Sequence, residues 1–204
     1  MKRDEGRHPS PVKERLRSEI LRRRDGLPTS DRLRLSADIM RRITALAPYH
    51  HARTVLAYSS FGSEPDTSPL LQKALEEGKI LLLPRVERAS RRLTLHRVHN
   101  PEKELVPGTW GIREPDPDLC PEIPPSSVEF VLVPGVAFDP GGGRLGYGGG
   151  FYDHLISEEL THHPPLVAAA FEVQMVPEIP RDEHDVPIDL VVTEKHVYSQ
   201  PSAP

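Results

Sequence analysis

The sequence predicts a three-layer α/β domain, an open and mostly parallel sheet with helices on both faces in the Rossmann-like manner. Three observations predict it. Short apolar runs alternate with segments whose apolar residues recur every three or four positions, the pattern of strands joined by crossover helices. The runs are four to six residues long and read as buried strands. One of them leads into a glycine-dense stretch, and in open α/β sheets ligands bind at the carboxyl ends of strands.

Ser10 and Pro11 open the first helix as cap and first residue, with Val12, Leu16, Ile20 and Leu21 as its apolar stripe. Lys13 and Arg17 are four apart and share the next face along, where they either clamp a phosphate or face water. The helix should stop near Gly26-Leu27-Pro28. Thr29-Ser30-Asp31 caps a second one, carrying Leu33, Ala37, Met40, Ile43 and Ala47 and ending at Pro48. Thr54 to Tyr58 is the first strand. Its loop carries Ser59, Phe61, Glu64 and Asp66 just beyond the strand's carboxyl end, and a short helix, Pro69 to Glu77, closes at Gly78. Ile80 to Leu83 is the second strand, stopped by Pro84, with Arg85 beyond. Leu93 to Val98 alternates as an edge strand does, which points His96 and His99 to opposite faces and argues against a shared metal site. Residues 100–127, rich in proline, read as a connection, with Trp110 either packing it to the core or stacking on a planar ligand. Val128 to Val133, Leu166 to Phe171 and Ile188 to Val192 complete the strands, and His154 to Leu160 is helix-like.

The 204 residues fit one domain over 10–198, with 1–9 a disordered polar extension and 199–204 a flexible tail. Residues 1–53 hold 14 Lys/Arg against 7 Asp/Glu, a net of +7, and the remainder 12 against 23, a net of −11, summing to −4. The basic segment suits an anionic ligand or a solvated helix face. A nucleic-acid module is disfavoured, because the whole chain is acidic and only 5% aromatic. The single Cys120 allows no internal disulfide, and no apolar run approaches the length of a membrane span. A soluble, cytoplasmic protein with no membrane partner is therefore expected.

Gly141 to Gly150 contains seven of the fourteen glycines. Such density gives no core packing and costs backbone entropy, so it implies close approach of backbone to a ligand. No glycine precedes Lys-Ser or Lys-Thr, which excludes the phosphate loop of that pattern. Gly141, Gly143 and Gly146 match the dinucleotide fingerprint by letter, but Gly148, Gly149 and Gly150 then weaken the helix that should follow. The third option is a loop whose N–H groups and Arg144 surround a polyphosphate, against the alternative of a flexible surface loop. Asp153 at its end can join the same phosphate only across a cation, a role that suits Mg²⁺.

The stretch Val133 to Asp153 resembles the signature of the 5-formyltetrahydrofolate cyclo-ligase family, also called methenyltetrahydrofolate synthetases. Lys13 to Arg17 resembles that family's ATP-phosphate segment, Ser59 to Thr67 its substrate loop, Gly108 to Pro115 its next loop and Asp185 to Thr193 its last strand. The resemblance implies conversion of 5-formyltetrahydrofolate and ATP to 5,10-methenyltetrahydrofolate, ADP and phosphate, with ATP as co-substrate and Mg²⁺ as cofactor. It implies that Lys13, Arg17, Arg144, Leu145, Gly146, Tyr147, Gly148, Gly149, Gly150, Phe151 and Tyr152 bind ATP, with Arg144 and Lys13 catalytic. Ser59, Phe61, Glu64, Trp110, Tyr147 and Phe151 would contact the folate, which a basic segment could favour in polyglutamylated form, and Asp153 and Asp189 would hold the metal. A monomer is expected. Tyr147 and Gly149 stand where some members carry basic residues, and Phe151 where tyrosine is frequent. A diverged homologue that binds without turning over is the competing expectation.

Overall fold

The computed structural model describes residues 10–160, 162–182 and 185–200. The expected extension at 1–9 lies outside them, as do residues 201–204 of the expected tail. The chain runs α1 (Pro11–Asp25), α2 (Thr29–Thr44), α3 (Ala47–His51), β1 (Thr54–Leu56), α4 (Ser68–Glu76), β2 (Ile80–Glu87) and β3 (Arg92–Arg97). It continues with α5 (Pro101–Glu104), β4 (Leu105–Pro107), β5 (Arg113–Pro115), β6 (Phe130–Val133), β7 (Ala137–Phe138), β8 (Arg144–Leu145) and α6 (Phe151–His154). Last come β9 (Leu166–Ala169), β10 (Leu190–Val192) and β11 (Val197–Ser199).

Seven strands form the main sheet in the order β11-β10-β9-β6-β1-β2-β3. The five inner strands are parallel, and β3 and β11 are antiparallel edges. Because the parallel strands are covered on both sides, the residues they pair in parallel are apolar apart from Thr54 and alternate between two cores. Val55, Leu81, Phe130, Leu132, Val167 and Val192 face α2 and α4, packing on Ile39, Met40, Ile43 and Leu70. Leu56, Leu82, Val131, Val133, Ala168 and Val191 face the opposite layer, Leu155, Ile156 and Leu160. Each fully buried Leu, Ile or Phe of this kind is worth about 1.5–3 kcal/mol. Among the described residues no helix is long and apolar enough to cross a membrane.

The strand order reverses between β1 and β6. From β1 the chain passes through α4 to β2 on one side, and from β6 through α6 to β9 on the other. The two connections leave toward opposite faces, so a crevice opens between them at the carboxyl ends of β1 and β6. The Glu64 loop follows β1 and the glycine-rich stretch follows β6.

Several elements differ from the sequence expectation. Helix α1 does not bury Val12, which is 59% exposed. It docks instead through Ile20 on the β7–β8 hairpin, against Val136, Ala137, Leu145, Val176 and Ile179. Ser10 makes no side-chain cap bond, although Pro11 begins the helix as expected. Leu33 is exposed too, and α2 ends at Thr44, after which Pro48 starts the short α3 rather than ending a helix. Pro84 does not stop β2: pairing with β1 ends at Leu82, so proline's missing N–H falls where the strand has only β3 beside it. The proline-rich segment is not all connection, because β4 and β5 pair within it. After β10 the chain adds β11, whose last residue, Ser199, had been assigned to the tail.

Candidate functional site

The seven glycines do two different jobs. Gly141, Gly142 and Gly143 form the tip of the β7–β8 hairpin. Asp139, buried at its base, accepts bonds from Gly143 N–H at 2.8 Å, Ile179 N–H at 2.9 Å and Arg181 Nη2 at 3.0 Å. Gly142 has φ +81°, and a β-carbon there would press on the Ile188 carbonyl, so only glycine fits. The tip is therefore a structural turn, not a phosphate cradle. Gly146 to Gly150 are the open part. Among the described residues the N–H groups of Gly146, Tyr147, Gly148, Gly149 and Gly150 donate no hydrogen bond. This half is an array of free donors facing the crevice side of α1, whose Arg17 Nε donates to the Gly146 carbonyl at 2.8 Å. The following helix begins at Phe151, three residues earlier than expected, and widens to a π-turn over Leu155–Glu159.

Arg144 is buried and its guanidinium is shared: Nη2 donates to Asp153 Oδ1 at 2.5 Å and Nη1 to the Pro134 carbonyl at 3.2 Å. Its Nε is buried without a partner among the described residues. The cation between loop and Asp153 is thus Arg144 itself. Lys13 is also buried, and its ammonium donates to Asp182 Oδ2 and Asp185 Oδ2, both at 2.7 Å. Burial alone would lower the Lys13 pKa, but the two carboxylates outweigh it and hold it above its ordinary value. Arg17 therefore turns to the glycine-rich loop and Lys13 to Asp182 and Asp185.

On the β1 side, Glu64 meets the loop directly. Tyr147 Oη donates to Glu64 Oε1 at 2.6 Å, and Phe61 N–H donates to Glu64 Oε2 at 2.9 Å. Arg24 completes the group: Nε donates to Ser63 Oγ at 2.9 Å, Nη2 donates to Tyr147 Oη at 3.0 Å, and Ser63 in turn donates to Asp25. Burial pushes the Glu64 carboxyl above its ordinary range, while the Tyr147 and Phe61 bonds and the Arg24 charge pull it back down. Tyr58 and Tyr152 lie close enough to be raised by the same carboxylate, after desolvation as their main cause.

The crevice mouth is aromatic. Trp110 is 60% exposed, stands edge-on to Phe151 at 6.0 Å and lies beneath the Arg88 guanidinium at 5.7 Å. Its φ is +57°, a strained value for a bulky residue. Trp110 therefore does not pack the connection to the core. Phe61 is exposed as well, with Gly111 against its ring edge. Ser59 is half-buried where the loop leaves Tyr58.

A model of the 5-formyltetrahydrofolate cyclo-ligase family matches residues 9–194, nearly the whole chain. The chain belongs to that family. The 5-formyltetrahydrofolate cyclo-ligase of Escherichia coli K12 is 33% identical over 179 residues, covering 88% of this chain and 98% of the relative. The mouse protein of that name is 31% identical over 190 residues, 90% and 94% of the two chains. The solved structure of Aquifex aeolicus 5,10-methenyltetrahydrofolate synthetase superposes with a TM-score of 0.82 at 36% identity, covering 95% of each chain.

Set in this cyclo-ligase frame, most expected site residues converge. Lys13, Arg17, Arg144, Gly146 to Tyr152, Phe61, Glu64 and Trp110 come from four segments, α1, the β1 loop, the β4–β5 connection and the glycine-rich stretch, which meet through Arg17 on Gly146, Tyr147 on Glu64 and Trp110 on Phe151. The two expected metal ligands do not meet. Asp153 lies in the first turn of α6, whereas Asp189 lies by Leu160 and His162 beyond that helix's far end, its Oδ2 accepting from Leu166 N–H at 2.7 Å. Among the described residues no three His, Cys, Asp or Glu side chains form a metal-binding group. Asp153 fits a cation alone: its Oδ1 takes Arg144, and its Oδ2 accepts no bond among the described residues.

Sequence reasoning missed Arg24, Asp139, Asp182 and Asp185 as parts of the site. Asp139-Pro140-Gly141 carried a legible turn signal, and Arg24 carried none, being one of three consecutive arginines.

Proposed function

We propose that this protein converts 5-formyltetrahydrofolate and ATP to 5,10-methenyltetrahydrofolate, ADP and phosphate. The observation that carries the reading is the junction at the switch point: Arg17 on Gly146 and Tyr147 on Glu64 bring a cationic helix, a donor-rich loop and an aromatic-rimmed acidic loop together. One wall suits a polyphosphate and the other a planar heterocycle bearing N–H donors.

A formamide carbon is a poor electrophile and its oxygen a poor leaving group. Transfer of the γ-phosphoryl to the formyl oxygen corrects both. N10 then attacks the formyl carbon, loses its proton, closes the five-membered ring, and the C–O bond breaks to release phosphate carrying the former formyl oxygen. Such a reaction depends on placement and charge more than on a protein nucleophile. Lys13, Arg17, Arg144 and the N–H groups of Gly146 to Gly150 supply charge and donors for ATP. Leu145, buried on the α1 side, holds the loop's root. Glu64 accepts from the pterin, and Phe61, Trp110 and Phe151 line its planar faces. Mg²⁺ supplied with ATP would ease repulsion among the phosphates, and Asp153 is the carboxylate positioned to hold it.

The test is to incubate the protein with Mg-ATP and 5-formyltetrahydrofolate and follow methenyl absorbance and phosphate release together. Equimolar signals support the reading. Nucleotide or folate binding without either signal would establish a binding homologue instead.

A further inference from the structure

Arg24 sits outside every role considered so far. It lies near the end of α1, is 3% exposed, and spans two loops that are far apart in sequence. One edge of its guanidinium holds Ser63 in the β1 loop, and another holds the Tyr147 hydroxyl in the glycine-rich loop, with the Tyr147 ring 5.8 Å from Cζ. Tyr147 uses its own proton on Glu64, so the order of donation runs Arg24 to Tyr147 to Glu64. The third nitrogen, Nη1, is buried with no partner among the described residues, an arrangement that costs stability. A buried cation kept at that cost is better explained by what it does to its neighbours than by packing.

We infer that Arg24 is a positioning residue: acting through Tyr147 and Ser63, it aims the Glu64 carboxylate and ties the glycine-rich loop to the folate loop. The inference rests on the proposed reaction only for the identity of the ligand that Glu64 meets. The groups around Glu64 are few and known. Tyr147 and Tyr152 come from the glycine-rich loop and α6, Tyr58 from the end of β1, the Phe61 N–H from its own loop, and Arg24 from α1. Arg24 is the only cation among these, and burial otherwise drives Glu64 toward its neutral form. Neutral Glu64 would offer a proton where the ligand needs an acceptor.

The test uses Arg24→Met, Arg24→Lys and Tyr147→Phe in the full chain, with thermal melts to confirm folding. The Glu64 carboxyl is titrated by ¹³C NMR, its resonance identified by its loss in Glu64→Gln. The Glu64 pKa is expected to rise in Arg24→Met and in Tyr147→Phe, and to stay near the wild-type value in Arg24→Lys, which keeps the charge. In the cyclisation assay the KM for folate should rise on the order of 10- to 100-fold in Arg24→Met, the worth of one charge-assisted bond. The KM for ATP should move far less, and the acid limb of kcat/KM should shift upward with the Glu64 pKa. Tyr147 is 50% exposed, so Tyr147→Phe should fold even if Arg24→Met does not. An unchanged Glu64 titration in a folded Arg24→Met or Tyr147→Phe protein would overturn the inference and leave Arg24 a structural clamp. A wild-type protein that performs no cyclisation would overturn the proposed function instead, and the titration would still decide the role of Arg24.

Discussion

The Lys13 ion triad makes a quantitative demand on its two acids. Asp185 Oδ2 accepts both the Lys13 ammonium and the Asp182 N–H, each at 2.7 Å, and its side chain is 26% exposed. Asp182 offers Lys13 one bond from a side chain that is 70% exposed, where solvent screens it. Asp185→Ala should therefore cost about 2 kcal/mol, and Asp182→Ala about 0–1 kcal/mol. For a chain of this size that is a fall in Tm of about 4–8 °C against about 0–4 °C. Two carboxylates partly neutralise the Lys13 ammonium toward a phosphate, so Asp185→Ala should also bind ATP more tightly, by roughly up to tenfold. Circular-dichroism melts with and without Mg-ATP measure both effects, because ligand-linked stabilisation grows with affinity. Equal melts for the two variants, or weaker ATP binding by Asp185→Ala, would refute the triad as the resting partner of a phosphate-binding lysine.

Other outcomes follow from single observations. The Lys13 pKa is raised on folding, so its contribution to stability is complete below its ordinary value of 10.5 and is lost as pH climbs through the higher folded value; Lys13→Met should flatten that alkaline limb of the melting profile. Gly142→Ala meets both a φ of +81° and the Ile188 carbonyl, and should lose at least about 2 kcal/mol in urea unfolding. Trp110→Gly should melt at or above the temperature of Trp110→Ala, since glycine takes φ +57° without strain, while both raise the folate KM several-fold. Arg144→Met should abolish most turnover and lower Tm by roughly 6–24 °C, its two lost bonds being worth about 1.5–3 kcal/mol each.

The parallel strands were legible because burial on both faces leaves unbroken apolar runs, as in Phe130–Val133. Edge strand β11 has no such mark, since Val197, Tyr198 and Ser199 are all partly exposed. Strand β2 hid its second half because a rule about proline in sheets says nothing of where a neighbour's pairing ends. In α1, apolar spacing pointed to Val12, Leu16, Ile20 and Leu21; the last three pack on the hairpin and Val12 does not, while the cations Lys13, Arg17 and Arg24, which do not look like core, share the docking side. The glycine-rich loop was legible as an anion site from composition. Its division into a closed tip and an open donor array was not, because that depends on Asp139 finding Ile179 and Arg181 some forty positions away. Pairing Asp153 with Asp189 followed from the family resemblance alone, and the helix between them keeps the two apart.

The docking of α1 on the β7–β8 hairpin also bears on when this protein becomes competent during synthesis. The helix is made well before its seat on Val136, Leu145, Val176 and Ile179 and before the acids that receive Lys13. At typical elongation speeds the wait is on the order of 10–30 s. Through that interval the basic segment has no partner of its own, and a chain cut short before Ile179 offers no complete seat. Docking of α1 thus waits on synthesis through Asp185.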